Sequence, residues 1–169
     1  MKKFKEISPD DLNESAVRLI GKEWMLITAG TIGKWNTMTA SWGALGQLWR
    51  KPAAFMFIRP TRHTFEFANR EPLFTLCFFE EKYRDALNFC GTHSGRDCDK
   101  AKETGLTPFE VAPGTVAFEE ARLILVCRKI YFQDIKPEQF LDPEIEVNYP
   151  KKDYHRMFVG EVVRTLAAR

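Results

Sequence analysis

A strict alternation of apolar and polar residues over positions 36–42 predicts a β-strand with two distinct faces. One face carries Met38, Ala40 and Trp42, and the other carries Thr37, Thr39 and Ser41. The next apolar run, residues 53–58, has the length of a buried strand. Between them, the glycines at 43 and 46 interrupt the pattern, so residues 43–46 are predicted to be a break in the regular structure.

Most of the remaining pattern is also typical of strands. These are predicted at residues 24–29, 34–42, 73–79, 116–118, 123–133 and 156–165, the first two forming a hairpin through a turn at 30–33. Helices are predicted at residues 65–70, 80–90 and 99–104, with Gly91 and Gly105 as the stops of the last two. Short helical turns are expected near Pro9 and at 137–140, and the Pro-rich, initially acidic residues 141–153 should form a loop or lid. Many strands and few helices favour a barrel over a parallel sheet.

Composition narrows the class of protein. A chain of 169 residues is long enough for one domain with its own core, and we expect a single domain over residues 1–169. The net charge of +2 and the lack of a basic run give no reason to expect a nucleic-acid partner. Apolar runs stay far below the roughly 20 residues that span a bilayer, so no membrane association is expected. The N-terminal residues lack a signal peptide, which predicts a cytoplasmic protein whose four cysteines are reduced.

A cluster of cationic and hydroxyl side chains follows the buried strand. It comprises Arg59, Thr61, Arg62, His63 and Thr64, at the start of the predicted helix, with Thr64 as its N-cap. Backbone N–H groups and the helix dipole favour an anion at such a position, and guanidinium and hydroxyl donors strengthen its binding. The cluster is therefore a candidate phosphate site. The ordinary alternative is a turn with a capping threonine and solvated arginines.

Three further sets of residues are candidates for function. Lys100 offers a point charge to a phosphate, although a lysine at a helix start is more often a solvated charge. His155 has an ordinary pKa near 6.5, which suits proton transfer near neutrality, although a structural histidine is about as well supported. The potential zinc ligands Cys90, His93 and Cys98 fit no paired-ligand spacing and have no clear fourth ligand, so no metal is expected.

Four segments together resemble the flavin reductase-like family, including its flavoredoxin branch. The first is the Asn-x-Met-Thr-x-Ser strand at 36–41, and the second is the Arg- and Thr-rich turn that closes on Thr64. The third is the Ser-Gly-Arg-Asp-Cys-Asp-Lys loop at 94–100, and the fourth runs from Asp153 to Val162 and contains Gly-Glu-Val. The resemblance spans about residues 20–165. It implies a mainly β split barrel of the Greek-key, FMN-binding type with peripheral helices, which is often dimeric.

The resemblance also implies roles for individual residues. FMN is expected as a noncovalent cofactor, with its ring contacted by Asn36, Thr39, Ala40, Ser41 and Trp42. Its phosphate would lie at the turn of Arg59, Thr61, Arg62, His63 and Thr64, and Ser94 belongs to the same binding set. Lys100 would face the phosphate or the polar edge of the ring, and could act across a subunit interface. His155 would be the catalytic residue beside the flavin and a nicotinamide, although Tyr154 replaces the first histidine that several relatives carry there.

The function implied is that of a flavoprotein oxidoreductase that forms a homodimer in the manner of its relatives. It would take electrons from NAD(P)H and pass them to free flavin, ferric iron or a partner protein. Because no second nucleotide-binding motif is present, NAD(P)H would stack on the exposed flavin face. Two alternatives stay open: an FMN-dependent electron-transfer protein without a small-molecule substrate, and a non-enzymatic ligand-binding barrel. Without the resemblance, the strand at 36–42 would be interpreted as a core strand with a buried tryptophan.

Overall fold

Ten strands and four α-helices form the part of the chain that this computed structural model describes, residues 4–169. The strands are β1 (Phe4–Ile7), β2 (Met25–Thr31), β3 (Lys34–Ala40), β4 (Gly43–Leu48), β5 (Lys51–Ile58), β6 (Leu73–Phe78), β7 (Pro108–Glu110), β8 (Val116–Phe118), β9 (Leu123–Asp134) and β10 (Arg156–Ala168). The helices are α1 (Ala16–Arg18), which continues as a π-helical segment over Leu19–Glu23, α2 (His63–Arg70), α3 (Arg84–Thr92) and α4 (Lys100–Thr104). Short 3₁₀ turns occupy Pro9–Asp11, Glu81–Tyr83, Pro137–Gln139 and Pro143–Asn148.

The main sheet is antiparallel throughout, and its strand order is β3-β2-β6-β9-β10-β5-β4. Strand β10 pairs with β5 through its first half, and with β1 through its last residues. Side chains from β2, β3, β5, β6, β9 and β10 meet in one buried cluster, together with Phe67 and Ala68 of α2. Because strands from near both edges of the sheet reach the same core, the sheet is curled into a barrel.

A second buried cluster covers the outer face of the sheet. Leu87 and Cys90 of α3 pack there with Leu26 of β2, Phe118 of β8 and Ile124 of β9. This explains why β2, β6 and β9 are apolar on both faces, with six consecutive buried residues over positions 25–30. The helices therefore lie at the periphery of a mainly β structure.

Several sequence predictions are confirmed. Strands β2 and β3 form the predicted hairpin through a two-residue turn between Thr31 and Lys34, where Gly33 has a φ of +89°. Helix α4 begins at Lys100 after the N-cap Asp99 and ends at Gly105, whose φ of +70° is the left-handed C-cap conformation. Gly160, in the Gly-Glu-Val segment, lies against the Phe74 ring, so an added Cβ would come within 2.5 Å of that ring.

The prediction of a break at residues 43–46 is wrong. These residues belong to strand β4, which pairs in register with β5 from Gly43↔Met56 to Leu48↔Lys51. A Cβ on Gly43 would lie 2.7 Å from the Phe55 carbonyl oxygen, so glycine permits this close strand approach. The hairpin is closed by Trp49 and Arg50, both of which have positive φ angles although neither is glycine.

Helix boundaries also differ from the predictions. Gly91 does not stop α3, because the helix continues to Thr92. Gly91 instead packs against β3, where an added Cβ would lie 3.3 Å from the Thr39 side chain. Thr64 is not the N-cap of α2, because Arg62 occupies that position without a side-chain cap bond. The sequence patterns did not predict β1, β7 or the helical residues 16–23. No helix within residues 4–169 combines the length and the apolar composition needed to cross a membrane.

Strand β3 ends at Ala40, and both of its faces are covered. Met38 and Ala40 lie in the barrel core, as their alternation predicts. On the opposite face Thr37 is also buried, and its hydroxyl hydrogen-bonds to Thr28 at 2.8 Å. Trp42 lies beyond the strand and is 43% exposed, so the alternative interpretation of a core strand with a buried tryptophan does not hold for this residue.

Candidate functional site

Two adjoining cavities lie where β3, the turn after β5, the loop after α3 and the start of β10 meet. The aromatic cavity, of about 160 Å³, is lined by Met38, Thr39, Ala40, Ser41, Trp42, Phe57, Arg59, Arg62 and His155. The polar cavity, of about 130 Å³, is lined by Asn36, Met38, Thr61, Arg62, His63, Thr64, Thr92, His93, Ser94, Gly95 and Lys100. Met38 and Arg62 line both, so the two spaces are neighbours. All thirteen site residues predicted from the sequence line one cavity or both.

The polar cavity contains a buried cation. Lys100 is only 6% exposed, and its Nζ donates to the backbone oxygens of Thr37 at 2.8 Å and Cys90 at 2.7 Å. Burial lowers the pKa of Lys100, and the groups that act on its charge are Cys90, Cys98 and Arg62, none of which is a carboxylate. The sequence alone favoured a solvated lysine at the start of the helix, whereas the Lys100 side chain is buried. A buried ammonium without a carboxylate partner is a suitable contact for an anion.

The start of α2 forms another wall of the polar cavity. The Thr64 side chain is buried and accepts a hydrogen bond from Asn36 Nδ2 at 2.8 Å, which connects α2 to β3. Because Thr64 accepts this bond, its own hydroxyl proton is free to donate. The first turn of the eight-residue helix adds backbone N–H groups and the positive end of its dipole. Thr64 thus lines the predicted site from within the first turn of α2, and not as the N-cap residue that the sequence predicted.

His63 and Arg62 differ in how they are held. The Nδ1 atom of His63 is buried and has no hydrogen-bond partner among residues 4–169, and a Glu66 carboxylate oxygen lies 3.4 Å away. Arg62 is exposed, and one of its Nη atoms donates to the Gly91 carbonyl at 2.9 Å. The remaining guanidinium N–H groups of Arg62 are available where the two cavities meet.

The loop at residues 93–99 completes the polar cavity, and sequence reasoning missed its key glycine. A Cβ on Gly95 would lie 1.9 Å from Asn36 Oδ1, so only glycine lets this loop approach β3 so closely. The position of Gly95 between Ser94 and Arg96, inside the third motif, was the one feature of the sequence that could have indicated its importance. Arg96 pairs with Glu66 outside the cavity, and Asp99 caps α4, so neither is free for a ligand.

Arg59 lies in the aromatic cavity, apart from the rest of the predicted phosphate cluster. Its guanidinium donates to Asp153 Oδ1 and to the Asn148 backbone oxygen, both at 2.7 Å. It also lies over the Tyr149 ring, 4.9 Å from the centroid. These contacts hold Arg59 against residues 142–153, and the Asp153 carboxylate balances its charge. This geometry does not support Arg59 as a phosphate ligand.

His155 is buried at the edge of the aromatic cavity, with 8% of its surface exposed. Its Nδ1 lies 2.8 Å from the Tyr149 hydroxyl, and its ring centroid is 5.1 Å from that of Trp42. Burial, followed by the charge of Arg59, lowers the pKa of His155 to about 4. The expectation that His155 titrates near neutrality is therefore wrong, because burial keeps the imidazole uncharged until the pH falls toward 4.

The remaining predicted residues have structural contacts of their own. The Thr39 hydroxyl donates to the Leu87 carbonyl of α3, so it anchors that helix as well as lining the aromatic cavity. Burial raises the pKa of Cys90 to about 11, which makes its thiol unreactive. Across residues 4–169, no group of three or more His, Cys, Asp or Glu side chains is arranged to hold a metal ion.

Comparison with solved structures identifies the fold. The chain superimposes on an FMN-binding domain of a flavin reductases-like enzyme from Shewanella baltica OS155, with a TM-score of 0.71 and 19% identity over 99% of this chain and 78% of that one. For flavoredoxin from Methanosarcina acetivorans the TM-score is 0.68, with 20% identity over 87% of this chain and 69% of that one. For nitrilotriacetate monooxygenase component B from Bacillus cereus the TM-score is 0.69, with 16% identity over 100% of this chain and 84% of that one. The predicted split barrel is thereby confirmed.

Sequence comparison identifies the family. None of the curated proteins matches the chain. The sequence profile described as flavin reductase like domain, however, matches residues 17–168, which is nearly the whole chain. This range includes all four motifs and both cavities. The chain belongs to the flavin reductase-like family.

Proposed function

We propose that this protein binds FMN across the two cavities and works as an NAD(P)H-dependent flavin oxidoreductase. The observation that carries the proposal is the buried Lys100 ammonium. It has no carboxylate partner within residues 4–169 and lies in a cavity of hydroxyl and cationic donors. Each cavity alone is smaller than the roughly 300–1,000 Å³ usual for a ligand of this size. A ligand with an anionic end and a flat apolar end would use both.

The polar cavity suits the phosphate of FMN. Lys100 and Arg62 would supply charge, and Thr61, Ser94 and the first turn of α2 would supply hydrogen-bond donors. No acidic side chain lines this cavity in the described structure, so an anion would meet no like charge there. The walls of this cavity are held together before a ligand arrives, since the Asn36–Thr64 bond joins α2 to β3 and Gly95 packs against Asn36.

The aromatic cavity suits the isoalloxazine ring. Residues 40–42 would place backbone polar groups and the Trp42 indole beside it, while Met38 and Phe57 offer apolar surface. When bound, FMN supplies the hydride and electron-transfer chemistry that amino-acid side chains lack. The neutral His155 would act as a hydrogen-bonding group beside the ring or the nicotinamide.

Electrons would come from NADH or NADPH and pass to free flavin, ferric iron or a partner protein. A nicotinamide would reach the ring from the open side of the aromatic cavity, where Trp42 is exposed. We also expect a homodimer, since the exposed Val17 and Trp42 line an apolar groove next to this cavity. Light scattering on the purified protein tests the homodimer separately.

The test is titration of the flavin-free protein with FMN, followed by anaerobic addition of NADH or NADPH. Binding should quench flavin fluorescence, and bleaching of the flavin absorption should report its reduction. Lys100→Met should weaken binding by about tenfold or more, since a charge-assisted hydrogen bond contributes roughly 1.5–3 kcal/mol. Lys102→Met, which removes an exposed lysine of the same helix, is the matched control. A protein that neither takes up FMN nor discriminates between these variants would refute the proposal.

A further inference from the structure

One tyrosine is buried within an otherwise exposed segment. Tyr149 is 3% exposed, whereas residues 141–148 are all exposed. Its ring lies among those of Phe140, Tyr154 and His155, with centroid distances of 6.1, 4.9 and 5.5 Å. Its hydroxyl points to His155 Nδ1 at 2.8 Å. Tyr149 therefore couples the segment before β10 to the histidine of the aromatic cavity.

We infer that Tyr149 is a positioning residue that holds His155 in the tautomer with its proton on Nε2, so that this N–H serves as a hydrogen-bond donor toward the aromatic cavity. The role in flavin reduction rests on the proposed function. The tautomer itself is a property of the chain without flavin.

The direction of the bond follows from the chemistry of the two groups. A phenol is a better donor than a neutral imidazole N–H, and an imidazole nitrogen is a better acceptor than a phenol oxygen. Burial raises the pKa of Tyr149, although the Arg59 charge over its ring opposes this, so the phenol keeps its proton and can donate it in a hydrogen bond at pH 7. Tyr149 therefore donates to Nδ1, and the single ring proton of neutral His155 resides on Nε2.

The second ring nitrogen is free to contact a ligand. The hydrogen bond to Tyr149 occupies Nδ1 of His155, and no partner for Nε2 lies within residues 4–169. Because His155 lines the aromatic cavity, Nε2 is the nitrogen left for a ligand there. The charged and titratable groups that face this histidine are Arg59, Arg62, Asp153 and Tyr149, and the net effect of burial and charge keeps it neutral at pH 7.

A neutral N–H fixed in this way has a defined chemical use. It would donate to a carbonyl oxygen of the bound ring or nicotinamide, and would stabilise negative charge that develops there without releasing a proton. A histidine free to exchange tautomers would present a lone pair for part of the time, which repels the same oxygen. Tyr149 thus improves the alignment of His155 without touching the reacting atoms.

The test begins with ¹⁵N NMR of histidine-labelled, flavin-free protein. The chain has three histidines, so the His155→Gln variant assigns the signal. In the unmodified protein, we expect a protonated Nε2 and an unprotonated Nδ1, and in Tyr149→Phe a mixture of the two tautomers. Protonation of Nδ1 in the unmodified protein would overturn the inference even if Tyr149→Phe failed to fold. An unchanged tautomer in a folded Tyr149→Phe would do the same.

The kinetic consequence is tested on the FMN-loaded protein. Tyr149→Phe should slow flavin reduction at saturating NAD(P)H by about tenfold, with FMN affinity nearly unchanged, because alignment and not binding is lost. Tyr154→Phe is the control, since its hydroxyl hydrogen-bonds to Glu146 instead. A changed tautomer with an unaltered reduction rate would overturn the positioning role. If the unmodified protein shows the Nε2 tautomer but does not bind or reduce FMN, the proposed function fails and the tautomer assignment stands.

Discussion

Mild acid should destabilise this fold through His155. The pKa of His155 falls from its ordinary 6.5 to about 4 in the folded chain. Between these two pH values the unfolded chain binds a proton on this imidazole and the folded chain does not. The free energy of unfolding should therefore be highest above pH 6.5, decrease as the pH falls toward 4, and change no further through this group below that.

The size of the effect follows from the same two values. One pKa unit corresponds to about 1.4 kcal/mol, so the shift limits the total loss to about 3 kcal/mol. Integrating proton uptake from pH 7.5 to pH 5 gives a loss of about 2 kcal/mol. Little correction for solvent screening is needed, because only 8% of the His155 surface is exposed. For a domain with about 5–15 kcal/mol of total stability, this loss is large.

Urea denaturation of the flavin-free protein at pH 7.5 and pH 5 measures the loss. The His155→Gln variant lacks the titrating group, so its stability should fall by about 2 kcal/mol less over the same interval. Carboxylates that titrate in both proteins cancel from this difference. His93→Gln, at an exposed histidine stacked on Phe89, should behave like the unmodified protein. Parallel losses in the unmodified protein and His155→Gln would refute the reasoning and place His155 in contact with water.

Three further predictions concern the polar cavity. Raising the salt concentration should weaken FMN binding in the unmodified protein but much less in Arg62→Ala. The reason is that salt screens the exposed Arg62 charge far more than the buried Lys100 charge. An equal dependence of FMN affinity on salt in the two proteins would contradict this. Thr64→Ala leaves the buried Asn36 amide without its partner and should reduce the free energy of unfolding by about 1–3 kcal/mol, whereas Thr64→Ser should restore most of it in urea denaturation. Gly95→Ala should lower FMN affinity by about tenfold, since its methyl group collides with Asn36. Gly46→Ala, where an added Cβ meets nothing within 4 Å, should leave that affinity unchanged in the same fluorescence titration.

Local sequence patterns predicted the features that depend on neighbours along the chain. The β2–β3 hairpin follows from alternation around a glycine turn, and α4 follows from Asp99 and Gly105 at its two ends. The break predicted at residues 43–46 is wrong because a glycine at position 43 is needed for a contact with another strand. Gly43 accommodates the Phe55 carbonyl of the paired strand, and no pattern within residues 43–46 indicates that contact.

The properties of the site depended on contacts that are remote in sequence. The pairing of Arg59 with Asp153 spans 94 positions, and the two carbonyls that hold Lys100 come from β3 and α3. Motifs therefore located the residues of the two cavities, but they could not tell which cation is compensated. They also could not give the pKa of His155, which depends on how completely the folded chain buries the ring.

The distribution of compensated and uncompensated charge gives the two cavities different chemistry. In the aromatic cavity, the Asp153 carboxylate balances Arg59 at 2.7 Å, and His155 is neutral. In the polar cavity, backbone oxygens hold Lys100, and no carboxylate within residues 4–169 acts on its positive charge. An elongated ligand with one anionic end would therefore bind in a single direction, with the anion at Lys100. The same asymmetry leaves the Arg59 side of the site nearly neutral, which would suit the flat apolar ring of the proposed cofactor.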